Sequence, residues 1–386
     1  MTPVVYLDHN ATTPVRPEVL EAMLPWLRDL YGNPSSVHSF GQRARRAVEE
    51  ARAAVARLLN ASKPEELVFT SGGSEALALA VLGAAEGARL ASGGAKRRVV
   101  TTRVEHEAHR GLGALLEGRG FEVVAVEVDG EGRVEPAEVL AALRPDTALV
   151  SVMLANNEVG TLQPVAELAR LCRERGIPSH TDAVQAVGKV PVDVQALGVD
   201  LLSLSGHKFN APKGVGALYA RQGTALVPVV AGHQERNRRG GTENVAGIVG
   251  LGAAARLAGE GLAPHARELE ALRDRLEEGL ARVPGSRRMS RAAARLSNTC
   301  HFCFEGLDGH DLVIALDLEG VCASSGSACA GGLARVSHVL EAMGVPSPLA
   351  RGALRLSLGW GSTAADVARV LEVLPGAVER LRSSRA

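Results

Sequence analysis

With 386 residues, 46% of them hydrophobic and 22% charged, the chain has material for one large and one smaller folded domain and too little polarity for general disorder. Lysine plus arginine equals aspartate plus glutamate at 43 each, and aromatics make up only 3%, so neither a basic nucleic-acid surface nor a base-stacking platform is expected. Five cysteines, an odd number, argue for reduced thiols over a disulfide framework. No apolar run approaches the roughly 20 residues that span a bilayer, and the start Met1–Asp8 lacks a basic segment leading a hydrophobic core. The expectation is therefore a cytoplasmic protein with no membrane segment.

In chain order, apolar runs predict strands at 66–70, 98–102, 122–126, 147–153, 177–181 and 199–203, alternating with helical spacing at 74–85, 106–116 and 164–173. This alternation is the α/β signature: a large domain with a mostly parallel central sheet flanked by helices. The first of these helices is rich in alanine and leucine on nearly all sides, as expected of one buried beside the sheet. Arg236, Arg238 and Arg239 read as a solvated loop rather than a binding patch, and the small-residue helix 243–257 as a packing element. After Gly261 the pattern changes to a long helix at 264–282, an arginine-rich loop and short elements, expected to form a smaller α+β domain. The expected division is an N-terminal arm at 1–14 packing with the small domain, a large domain at 15–260 and a small domain at 261–386.

Ser205-Gly206-His207-Lys208 ends an apolar strand with one lysine flanked by small donors. A lysine forms a Schiff base with pyridoxal 5'-phosphate only when its amine can be neutral, which burial favours, while Ser205 and His207 offer donors to a phosphate. A solvated turn lysine is the alternative. Asp182 follows the strand before it and would keep a pyridinium nitrogen protonated, or else serve as a helix cap. At 69–76 the pattern reads strand, glycine turn, helix start, which would direct free amides of Gly73 and Ser74 at the phosphate. Gly73, His106, Asn157, Asp182 and Lys208 all follow predicted strands, where ligands of open α/β sheets gather.

The segment 322–332 is too rich in glycine and serine for a rigid element, so Cys329 is expected on a mobile loop with no acid nearby to oppose its thiolate. A thiol facing such a cofactor points to attack on a group leaving a substrate side chain; an inert loop residue is the alternative. Arg355 could grip a substrate carboxylate bidentately, or be an exposed strand-end arginine. Cys300-x-x-Cys303 lies in an alternating, strand-like run and supplies too few ligands for a metal.

These residues resemble the cysteine desulfurases of the class V aminotransferase superfamily, pyridoxal-phosphate enzymes of fold type I, in the group with a Ser-Ser-Gly-Ser-Ala-Cys loop. The resemblance runs from Tyr6–Thr13 and Gly32–His38, through Val104–His106 and Asn156–Gly160, to Arg239–Asn244 and the Cys329 segment. It implies a homodimer that converts L-cysteine to L-alanine and leaves the sulfur as a persulfide on Cys329. It further implies a sulfur-acceptor protein such as an iron-sulfur scaffold, with the sulfur destined for clusters, tRNA thiolation or cofactors. By the same resemblance Lys208 holds the cofactor and shuttles the α-proton, His106 lies over the ring and Asp182 pairs with its nitrogen. Asn157 and Gln185 meet the ring oxygen region; Gly73, Ser74, Ser205 and His207 bind phosphate, with Thr242 reaching over from the other subunit. The chain departs from the family pattern at Gly73–Ala78, where a threonine and later polar residues are replaced, and at Trp360-Gly361. It stops at Ala386, shorter than members whose tail helps hold a scaffold protein. A selenocysteine lyase or class V aminotransferase, and a non-catalytic sulfur-transfer scaffold, are the alternatives; a transaminase needs no mobile thiol, and a scaffold has no need of Lys208, Asp182, His106 and Cys329 together.

Overall fold

The structure is a computed structural model describing residues 4–326 and 336–384. In chain order its strands are β1 (Val5–Tyr6), β2 (Leu67–Thr70), β3 (Arg98–Thr102), β4 (Glu122–Val126), β5 (Thr147–Ser151), β6 (Ser179–Asp182), β7 (Leu201–Ser205), β8 (Gly216–Ala220), β9 (Ser286–Arg288), β10 (Thr299–Phe304), β11 (Val321–Cys322) and β12 (Ala353–Ser357). The helices that matter most are α1 (Pro17–Arg28), α2 (Ser39–Leu58), α3 (Gly73–Ala91) and α4 (Glu107–Gly118). Seven strands form one sheet in the order β2-β8-β7-β6-β5-β3-β4. Pairing is parallel from β4 to β7 and antiparallel on both sides of β8, so the expected mostly parallel α/β sheet is present. Its central strands are buried throughout, which explains why they read as continuous apolar runs. α3 lies against β5, β7 and β8, and its alanines and leucines are buried along most of its length.

A second, antiparallel sheet, β12-β10-β9, packs on helices Gly309–Leu318 and Ala364–Ser383 around Phe302, Phe304, Leu354, Leu356 and Leu374. In β10, Cys300 belongs to this core and Cys303 to a separate one, because residues three apart in a strand point to opposite faces. β1 pairs in parallel with β11, Val5 opposite Val321 and Tyr6 opposite Cys322, so the start of the chain lies beside the strand that leads to the Gly/Ser segment.

The two helices read from the sequence at 243–257 and 264–282 are one 36-residue helix, Val245–Leu280, with Pro264 inside it. A proline at an interior position costs about 3 kcal/mol because it removes a hydrogen bond and crowds the carbonyl four residues back. Here that carbonyl is on exposed Glu260, where water can reach it. The first half of this helix is apolar and long enough to cross a bilayer by length and composition, contrary to the sequence reading, because small residues hid the run. Half of that stretch is buried within the protein, where the helix packs along α1 and α2. At Gly252 a Cβ would stand 2.7 Å from the Cα of Ala51, so only glycine permits this helix contact.

Candidate active site

The carboxyl ends of β2, β6 and β7 open on a cavity of about 630 Å³. Gly73, Ser74, His106, Asn157, Asp182, Gln185, Ser205, His207, Lys208 and Arg355 all line it. Ser324, Ser325 and Gly326 form part of its wall, whereas Cys329 lies outside the described residues. Thr242 is exposed and not part of the lining; three residues before it, Arg239 pairs with Glu75 in the first turn of α3 at 2.7 Å.

α3 begins at the cavity, and its first amides have no partners within the helix. A Cβ on Gly73 would come within 2.9 Å of Val184 Cγ2 and 3.1 Å of the Ser205 Cβ, so the helix start, β7 and the turn after β6 meet as closely as they do only with glycine there. Asp182, at the end of β6, is buried; its Oδ1 accepts a hydrogen bond from the Val184 amide at 2.9 Å. Burial pushes its carboxyl up to about 6, against the lowering effect of that bond and of Lys208.

Lys208, in the turn after β7, donates to the carbonyls of Asn10 at 2.7 Å and Ala11 at 2.8 Å. Burial and then the charge of Arg355 pull its ammonium down to about 8, while Asp8 and Asp182 oppose. His207 is pushed down to about 4 by burial and Lys208, and its Nδ1 lies 3.1 Å from Thr12 Oγ1. His106 caps α4, its Nδ1 accepting from the Ala108 amide at 3.1 Å, so in the neutral ring the hydrogen is on Nε2. Burial and Lys208 hold it below the usual histidine range, so it is neutral near pH 7.

Arg355 stands in the middle of β12, almost wholly buried, rather than at an exposed strand end. Its Nη2 donates to Asp8 Oδ1 at 2.8 Å and its Nη1 to the Asn157 carbonyl at 3.0 Å. Its Nε is buried without a partner among the described residues.

Sequence reasoning singled out Tyr6–Thr13 as a motif but assigned no role to it, and this segment threads the site. The Asn10 carbonyl accepts from both Lys208 and Gln185 Nε2, and its side chain meets Lys189, Asn298 and Thr299. Glu105, beside His106, was also missed. Its buried carboxyl accepts from Thr102 Oγ1 and the Met153 amide, and burial raises it to about 8, so it is protonated at neutral pH.

The class-V aminotransferase family model matches residues 5–370. A cysteine desulfurase IscS of Methanosarcina thermophila is 47% identical, covering 98% of this chain and 93% of that one. The chain belongs to this family, among the cysteine desulfurases. A cysteine desulfurase of Cereibacter sphaeroides is 49% identical over 98% of this chain and 97% of its own. Among solved structures, a NifS-like protein superposes with a TM-score of 0.91 at 38% identity, covering 98% of this chain and all of that one. SspA in complex with cysteine superposes at 0.80 and 36% identity, over 92% of this chain and 98% of that one. The fold and family expected from the sequence are thereby borne out.

Proposed function

We propose that the chain is a pyridoxal-phosphate cysteine desulfurase that moves sulfur from L-cysteine to Cys329 as a persulfide and releases L-alanine. The observation that carries this reading is the meeting, in one cavity, of a half-buried lysine, a buried carboxylate, a neutral histidine, a buried arginine and the start of a 19-residue helix. The donor set fits the cofactor. The amides at Gly73 and Ser74, with Ser205 and His207, suit a phosphate; Asp182 makes no ion pair within 4 Å among the described residues and suits a protonated ring nitrogen. When bound there, pyridoxal phosphate supplies an electron sink for the bond broken at the substrate α-carbon.

The chain's own groups then divide the work. Lys208, drawn down to about 8, has an appreciable neutral fraction at physiological pH, as a group that bonds a carbonyl and moves the α-proton requires. His106, neutral and with Nδ1 held as an acceptor, offers its Nε2–H as a donor at the cavity wall. Arg355 offers its fork to the substrate carboxylate, and Asp8 is the anion that the substrate must displace or share it with. The sulfur transfer balances without an outside oxidant: cysteine and the Cys329 thiol become alanine and the Cys329 persulfide, as the substrate C–S bond breaks and an S–S bond forms. A reductant then frees sulfide.

The proposal includes a cytoplasmic homodimer in which Thr242 of one copy serves the site of the other, a protein acceptor for the sulfur, and the division into arm, large and small domains at residues 14 and 260. The exposed position of Thr242 supports the first of these, and the β1–β11 pairing supports an arm that packs with the small domain. The test is to incubate the protein with L-cysteine and a reductant and to quantify alanine and sulfide beside Cys329→Ala. Equal amounts of both products, lost in the variant with its cofactor colour kept, are expected. Full desulfuration by Cys329→Ala would sink the persulfide route.

A further inference from the structure

Lys189 is buried beneath the cavity and plays no part in the roles above. It follows Gln185 by four residues, in the turn that continues from β6, and its Nζ donates to Gln185 Oε1 at 2.6 Å and Asn10 Oδ1 at 2.9 Å. Among the described residues no carboxylate pairs with it. Burial, followed by the charges of Lys208 and Arg355, holds its amine well below the ordinary lysine range. The nearby His9 is pushed down to about 4, by burial first and then by Lys189. Burying an amine with no counter-ion is costly, and the compensation here consists of two hydrogen bonds.

We infer that Lys189 is a positioning residue that fixes the side-chain amide of Gln185 so that an N–H, and not the carbonyl, is presented to the cavity. The chemistry of the partners leaves one arrangement. A peptide carbonyl only accepts, so Gln185 Nε2 must face the Asn10 carbonyl, 2.9 Å away, which turns Gln185 Oε1 to the Lys189 amine, a donor there whether charged or neutral. One N–H of Nε2 is used there and the second remains, on a residue that lines the cavity. Lys189 also fixes Asn10: with Oδ1 committed to Lys189 and Asn298, Nδ2 donates to Thr299 Oγ1 and the Asn157 carbonyl. The same Asn10 carbonyl that receives Gln185 receives Lys208. A single buried amine thus sets the polarity of the cavity floor and favours an anionic oxygen on whatever group binds above it.

The inference rests on the cofactor reading only for its spectroscopic test. Lys189→Met keeps the length and bulk of the side chain and deletes the donor. In the pyridoxal-phosphate-loaded enzyme without substrate, the pH midpoint of the visible absorption change should rise by about one unit, since a hydrogen bond to the ionised form is lost. Gln185→Glu, with Lys189 intact, should raise it similarly because the cavity N–H is gone, and adding Lys189→Met to it should raise it little further. A loss of packing alone would lower the unfolding midpoint and leave the absorption midpoint in place. An unchanged absorption midpoint in folded Lys189→Met, an unchanged one in Gln185→Glu, or fully additive shifts would each overturn the inference. If the protein takes up no pyridoxal phosphate, the cofactor reading fails first and the inference is read in the cofactor-free chain by ¹⁵N-glutamine labelling. There the Gln185 side-chain amide protons should be protected from exchange, and less so in Lys189→Met; equal protection in both overturns it.

Discussion

The ammonium of Lys208 sits between two backbone carbonyls that stabilise its charge and a buried, arginine-bearing wall that opposes it. The wall wins, leaving the group near 8 rather than above 10. Since only the neutral amine attacks an aldehyde, uptake of pyridoxal phosphate by the cofactor-free protein should accelerate about tenfold per pH unit up to roughly pH 8 and then level off. Arg355→Met removes the charge that helps lower Lys208, so its plateau should move to higher pH. Stopped-flow absorbance across pH 6 to 10 measures both, and a wild-type plateau near pH 10 would contradict the assignment. Lys208, Asp182 and His106 could be singled out in the sequence because each lies at or within four residues of a strand's carboxyl end, and strand ends can be read locally. Asp8, Asn10 and Lys189 were not, because their meaning lies in contacts far along the chain: Lys208 reaches Asn10 across 198 positions, and Arg355 reaches Asp8 across 347. Spacing cannot reveal such pairs.

Across neighbouring elements, a buried polar chain crosses the sheet beneath the site. His109 of α4 lies 2.7 Å from Ser151 of β5, which lies 2.8 Å from His180 of β6, which lies 3.0 Å from Ser203 of β7. Ser151 stands opposite His180 in the ladder, Ser203 lies two residues beyond His180's partner Leu201 and so on the same face, and His109 ties down the first turn of the helix that His106 caps. Sequence patterning marked these strands as apolar and did not show the belt, since alternate polar residues look like breaks in an otherwise buried run. Burial pushes His180 down to about 3, so between pH 4 and 6.5 the unfolded chain binds a proton there that the folded one does not. Stability from this residue therefore falls on acidification, by about 1.4 kcal/mol per pH unit. Asp182 and Glu105, raised by burial to about 6 and about 8, act in the opposite sense, because their folded forms hold protons that the unfolded chain has released. The net slope mixes these effects, so the comparison must be differential. His180→Gln, which keeps hydrogen-bonding capacity but cannot titrate, should lose less stability than wild type between pH 6.5 and 4.5 in urea unfolding. Parallel losses would mean that His180 titrates normally in the fold.

At the scale of the molecule, an apolar face lies uncovered among the described residues. Leu20, Leu24 and Leu27 recur at helical spacing along α1 and are 46%, 38% and 63% exposed, although the opposite side of α1 packs on the long helix Val245–Leu280. Tyr31 and Phe40, also exposed, pair their rings at 5.7 Å, and Val37 between them is 92% exposed. Apolar surface concentrated in this way favours cover by another protein surface, and in a symmetric dimer the same patch meets itself or its neighbourhood. Thr242, placed in the phosphate set by the proposal above, is exposed and lies outside its own cavity, which fits service to the site of another copy in the proposed homodimer. The two features are separate in sequence, and the proposed homodimer links them. The double variant Leu20→Glu/Leu27→Glu should therefore give monomers by light scattering. Its affinity for pyridoxal phosphate should fall at least about tenfold, the scale of one or two hydrogen bonds to a charged group, although no residue lining the cavity has changed. Monomers that hold the cofactor as tightly as wild type would separate the apolar face from the site and leave Thr242 without a role there. A dimer that persists would place the subunit contact elsewhere on the surface.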